Sequence, residues 1–236
     1  MYSASSKLVF PVLGILAVWV VLNLPNLFKY LSTERQRKKS LAGLAAAMGL
    51  GSPGKDRTLA QRYSNSVIWK RWAKLGPNNV LTGPVPEGRL TSFEVIANES
   101  VGQLSVCAID TDIHCEPLLI ESKSSAGVND WTPLGMSRVA LDSSEFSSAF
   151  QVRSANRKLA FDVLHSRTME FLLARPALSI NMRDDYTIVW CTRLPVTGVE
   201  SMIEDTREFV RLLPAYLRSD LATQAAAIEA REPVAH

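Results

Sequence analysis

An uncharged stretch from Leu8 to Phe28 constrains this chain more than any other part of it. Its 21 residues, at ~1.5 Å each, make roughly 32 Å of helix, the thickness of a bilayer's hydrocarbon core. Pro11 falls in the first turn, where a missing N–H costs little, and Asn23, Pro25 and Asn26 weaken the far end. A cleaved signal peptide would have a shorter apolar region followed directly by small residues. Here the small-residue run Ala45-Ala46-Ala47 lies beyond a basic cluster, the wrong place for cleavage. The stretch is read as a transmembrane anchor, and the bilayer as the chain's first partner.

Lys29, Arg35, Arg37, Lys38 and Lys39 follow the span, whereas only Lys7 precedes it. Positive charge stays on the cytoplasmic side. The expected topology is therefore a single pass through the plasma (inner) membrane, with the N-terminus outside and the bulk of the chain cytoplasmic. Cys107, Cys115 and Cys191 are odd in number and scattered, unlike a secreted disulfide framework.

Charge divides the rest unevenly. Residues 29–74 hold 11 Lys or Arg against 2 Asp or Glu, a net of +9; residues 75–236 hold 14 against 21, a net of −7. Anionic lipid attracts the first part and repels the second. Lys29, Arg35, Arg37, Lys38 and Lys39, together with Trp69, Lys70, Arg71, Trp72 and Lys74, are therefore candidate membrane-interface residues that would meet anionic headgroups. The acidic bulk and the lack of any zinc-finger, helix-turn-helix or RNA-recognition pattern argue against nucleic acid.

The sequence reads as four parts: an anchor (1–28), a basic juxtamembrane helical segment (29–75), an α+β domain (76–218), and an Ala-rich tail (219–236) expected to be a frayed helix or disordered. In the second part Leu41, Leu44 and Met48 share a helical face, and Gly49 and Gly51 end that helix. Such a helix either lies on the membrane or packs on the domain. Beyond Asn79 the pattern becomes β-like. Strands are expected at Val80–Thr82, Arg89–Ala97, Leu104–Ile109, Pro117–Glu121 and Arg138–Leu141. Asn156 caps one helix and Ser166 another, which Pro176 stops. Leu178–Met182 and Tyr186–Thr192 form a hairpin about Asp184-Asp185. Thr197 to Glu200 forms a capping box that opens a helix burying Val199, Met202, Ile203, Thr206, Phe209, Val210 and Leu213. The fold class is α+β: an N-terminal transmembrane helix, then an antiparallel sheet with two or three helices packed on one face.

In this order the pieces resemble an uncharacterised family of membrane-anchored actinobacterial proteins. The resemblance rests on the basic, Ala-rich helix Arg35 to Leu50, on Asp56-Arg-Thr-Leu-Ala-Gln-Arg62, and on Asn79-Val-Leu-Thr-Gly83 with Gly88-Arg89 and Phe93. It extends to Phe150-Gln-Val-Arg153 and Leu164-His-Ser-Arg-Thr-Met-Glu-Phe-Leu-Leu173. It implies a single span and a cytoplasmic α+β domain, and no activity or catalytic residue.

The chain has no phosphate-cradling glycine loop, nucleophile elbow or His-Glu-x-x-His motif. Asp110, Asp112, His114 and Cys115 place four ligand-type side chains within six residues, but no second cluster completes a metal shell. Cys191 is expected to face the core as a small apolar residue, and His165 to make a capping or backbone contact. The sequence implies no cofactor. The favoured function is a non-enzymatic, membrane-tethered domain binding an unidentified protein or the envelope surface through an exposed sheet face. Two alternatives are a lipid-headgroup module using the basic, Trp-containing segment 57–74, and a metal-dependent enzyme using Asp110, Asp112 and His114.

Overall fold

The computed structural model describes residues 24, 28, 29, 31–71, 76–97, 101–124 and 135–217. Apart from Leu24 and Phe28, the apolar stretch read as an anchor lies outside the described residues, as does the tail. Among the described residues, no helix is long and apolar enough to cross a membrane.

One strand organises the molecule. β3 (Gln103–Ser122) is 20 residues long and lies at the centre of an all-antiparallel sheet. The hairpin of β1 (Asn78–Val85) and β2 (Gly88–Ile96) pairs with its first half, Arg89 opposite Asp110 and Ile96 opposite Gln103. β5 (Phe150–Ser154) pairs with its second half, and the two-residue β4 (Ser137–Arg138) adds to β5. β6 (Ser179–Thr192) runs along the other side of β3, from Leu104 opposite Thr192 to Ile120 opposite Ile180.

The sequence reading divides β3 into two strands and β6 into a hairpin; both are continuous. β3 takes eight residue steps from Asp110 to Leu118 where β6 takes four from Tyr186 to Met182, so the excess is taken up as irregular register. Asp184, expected in a turn, sits in this stretch with φ +52°, a backbone region that Asp tolerates better than most residues. Local turn chemistry is present there, but pairing with β3 on both sides of it keeps the strand extended.

Helices cover both faces of the sheet, not one. On the first face lie the helix α1 (31–48) and α4 (Ser144–Ala149), α5 (Arg157–Val163), α6 (Ser166–Leu173) and α7 (Val196–Leu212). Their apolar sides meet Leu90, Cys107, Ile109, Leu118, Ile120, Val189 and Cys191. On the second face the short helices α2 (Thr58–Arg62) and α3 (Val67–Arg71) pack Leu59, Tyr63, Val67 and Ile68 on Phe93, Val106, Ala108, Ile188 and Trp190. Alternating strand residues supply the two cores. The second core explains why β3 and β6 read as near-continuous apolar runs: buried on both faces, they lose the polar–apolar alternation of a half-exposed strand.

Of the two placements expected for the helix at 31–48, the fold adopts packing on the domain. Leu41 and Ala45 are buried in the first core, with Leu44 and Met48 beside them. Gly49, at φ +70°, ends the helix, and Leu50 N–H donates to the Ala45 carbonyl at 2.8 Å, the closing bond of a Schellman motif. The chain then crosses the free edge of β1, Gly51 N–H donating to Thr82 (2.8 Å) and Gly54 exchanging bonds with Val80, before reaching the second face. That crossing also shields an edge strand.

Two expected caps differ. His165, not Ser166, is the N-cap of α6, with no side-chain cap bond. α7 starts at Val196 after Pro195, so Thr197 lies inside the helix and no capping box forms. The predicted stripe of α7 is buried throughout. Asn156 caps α5 as expected, accepting from Leu159 N–H at 3.2 Å.

Candidate functional site

The basic segment is sorted by the fold into inward and outward charges. On α1, Glu34 and Arg37 precede Leu41 and Ala45 on the inward stripe, so the helix begins its contact with the sheet through ions and continues it through apolar side chains. The Arg37 guanidinium bonds the Glu94 carboxylate in β2 and the Leu194 carbonyl, the latter at 2.7 Å. Asn79, in the left-handed region at φ +52°, donates its side-chain amide to the same carboxylate at 3.0 Å. Arg193 completes the cluster, 3.2 Å from Glu94 and donating to Glu34 at 2.7 Å. Two guanidiniums thus face two carboxylates, with side chains between 11 and 26 % exposed. The sequence reading missed this cluster. Its signal was Glu94, a lone charge inside the otherwise uncharged run Leu90–Ile96.

Above the cluster is a cavity of about 310 Å³ between α1 and the end of the sheet. Leu31, Val95 and Ile96 supply apolar wall, and Arg35, Lys38 and Lys55 line it from exposed positions. Among the described residues, none of these three cations has an ion-pair partner.

The other predicted interface positions divide in the same way. Lys29, Lys39 and Lys70 are exposed. Arg71 is turned inward, donating at 2.8 Å to Glu121, a buried carboxylate that Arg153 also approaches at 3.3 Å. Trp69 is partly buried against the second core, its ring 5.5 Å from Phe93 and 6.2 Å from Tyr63. Trp72 and Lys74 lie outside the described residues. Of the described Trp and Arg residues in the segment 57–74, Trp69 and Arg71 are turned inward, whereas Arg57 and Arg62 are exposed.

The predicted metal ligands do not converge. Asp110 accepts from the Tyr63 hydroxyl at 2.8 Å and lies 3.4 Å from Arg62, which also donates to Asp185 at 2.8 Å. Burial pushes the Tyr63 phenol far above its ordinary range, and the neighbouring Asp110 charge adds to this, so Tyr63 stays a neutral donor. Arg62, Tyr63 and Asp110, with Arg89 and Thr91, line a cavity of about 480 Å³. His114 is exposed, Cys115 half-buried, and the Asp112 side chain lies outside the described atoms. Among the described residues, no group of three His, Cys, Asp or Glu side chains could hold a metal ion.

Nucleophilic chemistry finds no better footing. Burial pushes the thiols of Cys107, Cys115 and Cys191 up to about 12, far above the thiolate range a nucleophile needs. His165 Nε2 lies 3.0 Å from the Leu212 carbonyl oxygen, a contact that ties α6 to the end of α7. The exposed sheet face expected to receive a partner carries α2 and α3 instead.

The architecture has a counterpart among solved structures. The crystal structure of the mycobacterial trehalose monomycolate transport factor A, TtfA, superposes with a TM-score of 0.56 at 18 % identity, over 76 % of this chain and 95 % of that one. The two chains share a fold. At this identity the likeness speaks for architecture and not for activity. No family model and no curated protein matches the sequence.

Proposed function

We propose that this chain is a single-pass membrane protein, akin to the anchored actinobacterial family it resembles, whose folded body lies on the cytoplasmic side and binds a protein of an envelope-transport assembly without catalysing a reaction. The observation that carries this reading is α1. Its described residues start at 31, three positions past the apolar stretch, and it is built into the core through Leu41, Ala45 and the Arg37–Glu94 pair. A rigid helix joined to the sheet holds the body close to whatever anchors residues 8–28. The shared fold with a protein named for trehalose monomycolate transport favours an envelope role. The polar clusters favour binding over catalysis, because their carboxylates are matched by arginines, and the core thiol Cys107 is held neutral by burial.

The test has two parts. A C-terminal reporter active only in the cytoplasm should report from there, and the protein should resist carbonate extraction of membranes; a reporter active only outside would overturn the topology. In-cell crosslinking followed by purification in detergent should recover one recurrent membrane-associated partner. Recovery of none would count against the binding role while leaving the anchor standing.

A further inference from the structure

We propose that the cavity between α1 and the sheet end seats the phosphate of an anionic phospholipid, with Arg35, Lys38 and Lys55 as its ligands. The inference rests on the membrane-anchored reading and adds a ligand to it. Leu24, Phe28, Leu31, Arg35 and Lys38 follow one another in the sequence at spacings of four, three, four and three, the period of one helical face. The first three are apolar and exposed, at 36, 67 and 44 %. The last two are cationic and line the cavity. That periodic pattern changes from apolar to basic within the interval 28–35, the order of acyl chain and headgroup met on leaving a bilayer.

Lys55 reaches the same cavity from the crossing segment that follows α1, so charges from two elements converge on it. The adjoining arginines are not available: Arg37 and Arg193 are committed to Glu94 and Glu34. Glu34, Glu94 and Arg193 of that cluster also line the cavity; with Arg37 the cluster balances to zero charge, so Arg35, Lys38 and Lys55 give the lining its positive sign. The apolar wall formed by Leu31, Val95 and Ile96 offers contact to the glycerol and upper acyl segment of a lipid, which a free anion would not use.

Native mass spectrometry of the full chain in an uncharged detergent tests this, with phosphatidylglycerol, phosphatidylcholine and inorganic phosphate as probes. The wild type should retain phosphatidylglycerol in preference to phosphatidylcholine, and millimolar phosphate should not displace it. The triple variant Arg35→Gln/Lys38→Gln/Lys55→Gln should bind phosphatidylglycerol about tenfold more weakly or worse. The control Lys39→Gln/Arg57→Gln/Lys70→Gln, which removes three exposed charges away from the cavity, should bind as the wild type does. All three exchanged cations are exposed, so circular dichroism should show the triple variant folded; were it unfolded, Lys55→Glu alone, outside any helix, should still weaken binding. Undiminished binding by the cavity variants, equal retention of phosphatidylcholine, equal loss in the control, or displacement by phosphate would each overturn the proposal. A chain that binds no lipid yet keeps its anchor and cytoplasmic body would sink this inference alone.

Discussion

Gly88 shows how tightly single residues are specified where β2 begins. Its φ is +140°, and a Cβ built there would come within 2.0 Å of the Asp110 carbonyl oxygen in β3. The obstacle is backbone in the middle of a paired strand, so it cannot swing aside. Gly88→Ala should destabilise the domain by at least about 2 kcal/mol in denaturant melts; a smaller cost would mean that the turn can relax without disturbing β3. The cysteines make the opposite kind of claim, about a residue that does little. With thiols pushed up to about 12, none should react with Ellman's reagent at pH 8 in the native protein, and all three should react in denaturant. Rapid native labelling of any one of them would reopen the case for cysteine chemistry.

At the scale of elements, α1 is held by two different kinds of interaction, and they can be separated. Glu94→Gln leaves the Arg37 and Arg193 guanidiniums partly buried without their shared carboxylate, a loss of about 2–4 kcal/mol. A double-mutant cycle with Arg37→Met should show coupling of about 1 kcal/mol or more; additive losses would mean that α1 is held by its apolar stripe alone. Gly43, exposed in the same helix with nothing within 4 Å of a built Cβ, permits a change of opposite sign. Gly43→Ala should stabilise by up to about 1 kcal/mol. What was legible in the sequence follows the same division. The stripes of α1 and α7, the Asn156 cap and the β1–β2 hairpin were readable because periodicity and caps are local. The unity of β3 and of β6 was not, because their bulged middle carries residues such as Asp184 that signal a turn when read alone. Of the candidate site, Arg35 and Lys38 were legible as basic residues following the apolar stretch. Lys55 was not, since only the crossing of the β1 edge brings it to α1.

For the whole molecule, the distribution of carboxylates sets how stability responds to acid. Burial pushes the Glu87 carboxyl up, but hydrogen bonds from Arg207 and Arg211 of α7 outweigh it and hold the group below its ordinary range. The same balance, with Arg62 as the donor, lowers Asp185. Both are carboxylates whose folded pKa lies below the unfolded value, so the unfolded chain binds protons first as pH falls. Their contribution is complete above about pH 4–5, the ordinary Asp and Glu range, and is lost as pH drops through the lower folded values. The two groups tie distant parts of the chain together: Glu87 joins the β1–β2 turn to α7 on the first face, and Asp185 joins β6 to α2 on the second. Acid should therefore loosen both helical layers over one interval rather than release one layer alone. Thermal melts of the full chain between pH 6 and pH 3 should fall steeply below about pH 4.5, and Glu87→Gln should lower the melting temperature at pH 6 while flattening the fall. A variant as pH-sensitive as the wild type would show that the link between the turn and α7 contributes nothing to the acid limb.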